Sequence, residues 1–543
     1  MKKVYLSHMG IACTLGQGKQ EVLENLIKGQ TPEPFDTYTL LSDKTVPVGR
    51  VPFDLPPLPE AFQTFDSRNN RLLKIVLDEI KDAIQRAVAE YGAHRVGIVL
   101  GTSTSGMFEE EQAFIEYKKT GQWPQGFHRH QVELSSPALF AAMYLGIQGP
   151  AYVISTACSS SGKALCSAAR LLKAGICDAV ITGGCDTLCG LTLNGFNSLE
   201  LLSSNGCNPF SSNRDGITIG EGAAVFLATA GTYEGSSIEL VGYGESSDAY
   251  HISSPEPEGV GASIAIHQAL SLAKLSPQDI AYINLHGTGT ALNDGMESKC
   301  VHQLFGPLTP CGSTKALTGH TLGVASALES AFLWLVLEAE DNGSIPLPPH
   351  VFDGIRDPQL PELNFVAPAR SYDPKHGSFA LMSNSFAFGG SNVSLIFKKR
   401  AISSLNVAEL LPHEPPMVLI DRVFAFRDDF IHGQVTIQRD SPFCQDGFVP
   451  SYVSIEYMAQ TVGIWNGLIA KRMGKRPEVG FLLGSRRMNL DVPAFKVGDV
   501  LDIFAKPIYV DGEMASFESW IERDHKPIVH AGLNVYQPRK QGD

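Results

Sequence analysis

The chain lacks several features that would place it quickly. Its ten cysteines include no Cys-x-x-Cys pair and no Cys/His spacing suited to zinc, Cys185 and Cys189 being the closest two. A zinc centre is therefore not expected, and the scattered thiols fit a reducing cytoplasm. No run approaches the ~20 apolar residues of a membrane span. The opening MKKVYLSHMGIACTLG has two lysines before an apolar stretch, but His8, Gly10 and Gly16 interrupt it before a signal-peptide core can form. It reads as a first β-strand and a turn. Positive charge is also short, 43 Lys plus Arg against 57 Asp plus Glu, for a net −14. Such a chain has no bulk attraction for nucleic acid or an anionic membrane, and an acidic partner must meet a local basic patch. There is no low-complexity tract, no short tandem repeat and no nicotinamide-binding glycine fingerprint.

What is present is a globular composition, 43% hydrophobic with 52 glycines, in 543 residues, too many for one ordinary core. Up to about residue 399, apolar runs such as RVGIVLGTSTSG (95–106), DAVITGGCDTL (178–188) and AAVFLATAG (223–231) end in glycine or small polar residues and alternate with helical stretches. That is the rhythm of strands buried on both faces of α/β layers. A second set begins with SIELVGYGESS (237–247), continues with DIAYINLHGTGT (279–290) and closes with FALMSNSFAFGGSNVSLIFKK (379–399). The spacing predicts two α/β halves, about 1–235 and 236–399. After the short polar stretch 400–406, residues 406–543 carry one long helical pattern (450–474) among alternating strands, an α+β unit with a sheet wrapped around one helix.

The first group of reactive residues centres on AYVISTACSSSGKALCSAARLLKAG (151–175), a strand, a Cys-Ser-Ser-Ser turn and a helix. Cys158 falls at the helix N-terminus, where the positive end of the helix dipole favours a thiolate. Alone, Cys158 reads more readily as a buried structural cysteine. Its company is what counts: INLHGTGTALND carries His286, STKALTGHTLGVASALESA carries Lys315, His320 and Glu329, and NSFAFGGSN carries a glycine pair after Phe388.

TACSSS, HGTGT, STKxxxGH and NSFxFGGSN occur in the order found in the β-ketoacyl synthases, and over residues 1–398 the chain resembles that family. The resemblance implies a thiolase-like five-layer fold of two related halves, usually homodimeric. It also implies a decarboxylating condensation of an acyl chain with a malonyl unit carried on acyl carrier protein. Cys158 would be the nucleophile, with His286 and His320 as neutral Nε2–H donors to an enolate oxygen. The backbone N–H groups of Cys158 and Phe388 would hold the acyl carbonyl, with Gly389 and Gly390 allowing close approach. Lys315 with Glu329 would organise the site's charge, the alternative being an ordinary salt bridge. The side chain of Phe388 would act as a gate, with Ala387 standing where many relatives have glycine. Some relatives lack the cysteine and serve as chain-length partners in a heterodimer; this chain has it. A thiolase would carry a second cysteine as base where this chain has NSFAFGGSN.

In the second unit, LLPHEPPMVLIDRV and VPSYVSIEYMAQTVG resemble the opening and the central helix of hot-dog-fold 3-hydroxyacyl-carrier dehydratases, closest to those of bacterial aryl polyene pathways. Glu456 matches the family's acid, in a helix stretch otherwise apolar enough to make a carboxylate costly. The family's histidine would stand fourteen residues earlier, where this chain has Pro442. His413, in the LPH opening, is the candidate replacement. Three readings stand for this unit: a dehydratase with a relocated histidine, which is preferred, a thioester hydrolase using Glu456, or an inactive docking and dimerisation module.

No cofactor is implied, and no phosphopantetheine serine of a carrier domain is evident. The carrier is therefore expected in trans, with Arg68, Arg71 and Lys74, and Arg486 and Arg487, as candidate basic contacts. A separate ketoreductase must act between the two units, and a condensing partner subunit is compatible with the pattern, as is fatty-acid, polyketide or aryl polyene synthesis.

Overall fold

The computed structural model describes residues 2–31, 33–230, 238–339, 344–372, 380–399, 407–427, 429–472, 480–511, 513–524 and 526–538. The described residues up to 399 form one compact unit and those from 407 onward another. The break expected near residue 235 and the polar stretch 400–406 lie outside the described residues.

Among the described residues the main sheet of the first unit has twelve strands, five from each half together with the two-residue edge strands Gly16–Gln17 and Asn364–Phe365. The first half supplies β1 (Val4–Cys13), β2 (Val96–Gly101), β3 (Ala151–Ile154), β4 (Ala179–Asp186) and β5 (Gly222–Ala230). They lie in the order β3-β2-β4-β5-β1. The second half supplies β6 (Ile238–Ser247), β7 (Ile280–Asn284), β8 (Pro310–Gly312), β9 (Ala380–Ala387) and β10 (Ser391–Lys399), in the order β8-β7-β9-β10-β6. Numbered within each half, both orders are third, second, fourth, fifth, first. In both, the first three positions run parallel and the last two antiparallel. The halves meet where Tyr5 of β1 lies opposite Glu239 of β6. β2 and β4 are buried at every residue, as parallel strands covered on both faces must be.

Beside these strands are α1 (Ser160–Lys173), α2 (Ala291–Phe305) and α3 (Ala325–Glu338). α3 is buried from Ala325 through Leu337, and apart from Ser326, Glu329 and Ser330 that stretch is apolar, as a helix enclosed on every side must largely be. α1 and α3 approach closely: a Cβ on Gly162 would come within 2.4 Å of Ser326 Oγ, and the Ala327 N–H donates to Ser161 Oγ at 2.9 Å. Each of these helices follows a non-glycine residue in the left-handed region, Ala157 (φ 52°) before α1 and Leu322 (φ 54°) before α3. The halves thus present matching elbows, with Cys158 next in one and Gly323 next in the other.

The second unit is a six-stranded antiparallel sheet. Its strands are β11 (Arg422–Arg427), β12 (Phe430–Thr436), β13 (Phe481–Leu490), β14 (Val500–Asp511), β15 (Met514–Arg523) and β16 (Lys526–Tyr536), in the order β11-β12-β14-β15-β16-β13. The long helix α4 (Ser454–Arg472) lies on one face. Ile431 and Val435 of β12 and Leu501 and Ile503 of β14 point into the same core as Met458 and Val462 of α4. A Cβ on Gly433 would meet Thr461 Oγ1 at 3.2 Å, so this helix rides close to the sheet. The helix-in-sheet arrangement is the one the sequence pattern predicts. Among the described residues no helix is long and apolar enough to cross a membrane.

Candidate active sites

The elbow between β3 and α1 puts Cys158 at the floor of a cavity of about 300 Å³ whose lining includes His286, His320, Phe386 and Phe388. Cys158 Sγ is 2.9 Å from His320 Nε2, and the two imidazole rings are edge-on with centroids 5.4 Å apart. Sγ and one nitrogen of each imidazole lie within 4.8 Å of one another, a spacing that could also hold a metal ion. Lys315 Nζ stands 3.5 Å from His286 Nδ1 and pairs with Glu329 Oε1. An ammonium can only donate, so Nδ1 of His286 must accept and its proton sits on Nε2. Burial first, and the Lys315 charge second, hold both imidazoles well below the usual histidine range, so both are neutral at pH 7. Burial lifts the Glu329 carboxyl to about 7, against the pull of Lys315.

The cysteine corrects one expectation. Burial pushes its thiol up to about 11, although Lys315 and the backbone N–H groups of Phe388 and Cys158 pull the other way. α1 begins only at Ser160, so the dipole of its first turn does not outweigh desolvation. Cys158 therefore rests as a thiol. The two backbone N–H groups facing Sγ are the pair that the sequence resemblance implied for an acyl carbonyl. Phe388 opens the turn Phe388–Gly390, where Gly389 (φ 78°) and Gly390 (φ 71°) take conformations that suit glycine, and its ring is 5.8 Å from that of Phe196.

Sequence reading missed two carboxylates on α2. Glu297 accepts the backbone N–H of His286 and of Gly287, both at 2.7 Å. Asp294 accepts those of Thr288 at 3.1 Å, Gly289 at 3.2 Å and Phe210 at 2.8 Å. Both are fully buried, and burial raises Asp294 to about 6 and Glu297 to about 8. Together they anchor the HGTGT turn that carries His286. Two acids three residues apart on a helix, just after that turn, were the available signal.

In the second unit, α4 presents Glu456 near its start, and the loop before β11 brings His413 to it: Nε2 lies 3.6 Å from Glu456 Oε1. His413 Nδ1 is buried with no hydrogen-bond partner among the described residues. Gln460, one turn after Glu456 and also missed, donates to Glu456 Oε1 at 2.9 Å and to the Met417 carbonyl at 2.8 Å, and it accepts the Leu419 N–H at 2.8 Å. Those contacts fix the amide's orientation and, with it, one oxygen of the acid. Pro442 lies in a tight loop beside Phe443 (φ 67°) and supplies no titratable group.

The candidate carrier contacts of the first unit are already paired. Arg68 Nε reaches the buried Glu221 at 2.9 Å, Arg71 grips Asp66 through two bonds of 2.7 and 2.6 Å, and Lys74 meets Asp78 at 2.6 Å. The expected basic patch is thus neutralised within the chain. Arg487 is exposed on β13; the side chain of Arg486 lies outside the described residues.

Profiles of known families match most of the chain. "Beta-ketoacyl synthase, N-terminal domain" matches residues 1–231, "Beta-ketoacyl synthase, C-terminal domain" residues 238–346, and "ApeP dehydratase" residues 405–543. Among curated relatives, the 3-oxoacyl-[acyl-carrier-protein] synthase 2 of Staphylococcus aureus is 30% identical over 425 residues, covering 73% of this chain and 98% of its own. That of Synechocystis is 31% identical over 426 residues, with the same coverages. Among solved structures, a ketosynthase from Xenorhabdus doucetiae, determined in complex with its chain length factor, is 44% identical with a TM-score of 0.68. It covers 73% of this chain, which spans 98% of it.

Proposed function

Because the chain belongs to the β-ketoacyl synthase family and continues into an ApeP-type dehydratase unit, we propose a residue-level course for its reactions. The first unit is a condensing enzyme acting on acyl chains linked to acyl carrier protein. Cys158 Sγ attacks the carrier thioester, forming the Sγ–acyl bond as the acyl–pantetheine bond breaks and the thiol proton leaves with the carrier's sulfur. The N–H groups of Cys158 and Phe388 hold the carbonyl oxygen during this transfer. Malonyl carrier then loses CO2, its C–C electron pair passing into an enolate whose oxygen faces Nε2–H of His286 and His320. The enolate carbon attacks the Cys158 thioester, a C–C bond replaces the C–Sγ bond, and one proton is taken up over the cycle. Lys315, tied to Glu329, holds His286 in the donating tautomer. The single observation carrying this reading is the convergence of Cys158, His286 and His320 in one buried cavity.

In the second unit, His413 Nε2 takes the α-proton of a 3-hydroxyacyl carrier while Glu456, as the acid, protonates the departing hydroxyl, giving water and an enoyl carrier. The 3.6 Å approach of the two within one chain supports a relocated histidine. A ketoreductase must act between the two steps. The carrier binds in trans, and the enzyme works in the cytoplasm as a dimer. Because the Xenorhabdus ketosynthase is complexed with a chain length factor, a nucleophile-free subunit of that kind is the partner we assign to Cys158's unit, in fatty-acid, polyketide or aryl polyene synthesis.

Mass spectrometry of carrier-bound species tests both units. Wild type given acyl and malonyl carriers should yield a 3-ketoacyl carrier and CO2, and Cys158→Ala should lose about 10³-fold or more. Given 3-hydroxyacyl carrier, wild type should release water and Glu456→Gln should not. Free acid in place of an enoyl carrier would make the second unit a hydrolase; no turnover would leave it a docking module.

A further inference from the structure

The two N–H groups that face Sγ come from different halves of the first unit. Cys158 sits on the elbow between β3 and α1, and Phe388 sits on the turn between β9 and β10. Such a pair stabilises an oxyanion only while both donors aim at one point. Each segment is stiffened separately. On the elbow, the Thr156 N–H donates to Ser160 Oγ at 2.8 Å and Ser160 Oγ donates to the Ala157 carbonyl at 2.5 Å. On the turn, the Gly389 N–H donates to the Ile252 carbonyl at 2.9 Å and the Gly390 carbonyl accepts the Asp248 N–H at 2.8 Å. None of those four bonds runs from elbow to turn.

A hydroxyl pair does: Ser159 Oγ and Ser391 Oγ are hydrogen-bonded at 3.0 Å. Ser159 follows the nucleophile and also reaches the Thr156 carbonyl at 2.8 Å and the Thr156 hydroxyl at 3.1 Å, so it moves with the elbow. Ser391 closes the turn, lying opposite Ala387 across β9–β10 and opposite Ser247 on β6, so it moves with the turn.

We infer that the Ser159–Ser391 pair is a clasp that sets the separation of the Cys158 and Phe388 N–H groups, making Ser391 a positioning residue for acyl transfer onto Cys158. This rests on Cys158 being the nucleophile and on those N–H groups being its oxyanion donors. The enolate donors His286 and His320 are carried on other segments, so loss of CO2 from malonyl carrier does not need the clasp. Acylation does.

The experiment measures two steps in the full chain carrying Ser391→Ala: single-turnover acylation of Cys158 by mass spectrometry, and CO2 release from malonyl carrier added to enzyme already acylated at Cys158. Acylation should slow about tenfold, short of the 10²–10³-fold that removal of a donor costs. CO2 release should stay within about twofold of wild type, and Ser391→Thr should restore acylation. Ser159→Ala, which also loses the two Thr156 bonds, should slow acylation at least as much as Ser391→Ala, and the double variant should be no worse than Ser159→Ala alone, because the clasp is one shared bond. Wild-type acylation in Ser391→Ala, or an equal loss of both steps with a lowered unfolding temperature, overturns the clasp. The nucleophile reading fails on a different result, an acyl-enzyme that still forms, on another residue, in Cys158→Ala.

Discussion

Cys158, His286, His320, Lys315 and Glu329 are no more than 6% exposed, whereas the side chains of His413 and Glu456 keep 36% and 32% of their surface. The first group is held on all sides: two carboxylates grip the turn bearing His286, an ammonium fixes its tautomer, and a strained elbow aims the thiol. The second has one amide, Gln460, steadying one oxygen, and a histidine at ion-pair rather than hydrogen-bond distance. Burial removes the water that would compete for an enolate, but it makes every charge inside dependent on its partner. A half-exposed pair is forgiving in stability and depends more on what closes over it.

The sharpest way to break that contrast is Lys315→Met. Glu329 then stays buried without its cation, and breaking such a pair costs about 3–5 kcal/mol. The sign with pH follows from the carboxyl, whose folded pKa of about 7 lies above its ordinary value of 4.5 and is pushed higher when Lys315 is gone. The folded variant therefore binds the proton more tightly than the unfolded chain. The stability this proton supplies is present at low pH and is lost as pH rises through the folded value. Thermal unfolding should show a deficit that grows from pH 6 to pH 8; a deficit independent of pH would mean that Glu329 does not titrate there. Glu456→Gln, by comparison, should shift stability by only about 0.5 kcal/mol or less.

His413→Asn tests the exposed site in the same terms. Dehydration should fall about 10²-fold, the lower range for loss of a general base, with condensation and unfolding temperature unchanged. Full dehydration by the variant would return His413 to the role of a loop residue.

The contrast between the sites also marks what could be read beforehand. Cys158, His286, Lys315 and His320 were legible because their residue types recur in a fixed order, and Glu456 because a carboxylate in an apolar helix is conspicuous. The direction of the cysteine's pKa was not, since a helix N-terminus can be seen in a sequence while desolvation depends on everything that packs over it. The duplicated strand order was hidden as well: the halves share a path through the sheet without sharing a repeat that inspection finds. Arg68 looked free because its partner Glu221 is 153 residues away, whereas Lys74 and Asp78, four apart on one helix, could have been paired from the sequence.

Alkylation of Cys158 sharpens the electrostatic side. Only the thiolate reacts, and burial holds the thiol near 11. The rate of modification by iodoacetamide should therefore climb about tenfold per pH unit from pH 7 to 9 with no plateau, since the thiolate fraction keeps rising until the pKa is reached. A plateau below pH 8 would show that Lys315 and the backbone donors outweigh desolvation after all.

The smallest expected effect concerns the carrier. Removing a cation weakens an acidic partner only if that cation's field reaches outward, and Arg71 and Lys74 spend theirs on Asp66 and Asp78 at 2.6–2.7 Å. Partly exposed pairs of this kind contribute about 0–1 kcal/mol to folding, so Arg71→Ala and Lys74→Ala should fold and should change KM for acyl carrier less than about twofold at physiological salt. Asp66→Asn separates the two roles, because it frees Arg71 without removing it. A lower KM in Asp66→Asn beside an unchanged KM in Arg71→Ala would mean that the chain holds a carrier contact in reserve. A raised KM in Arg71→Ala would mean that the carrier competes successfully with Asp66 for the guanidinium.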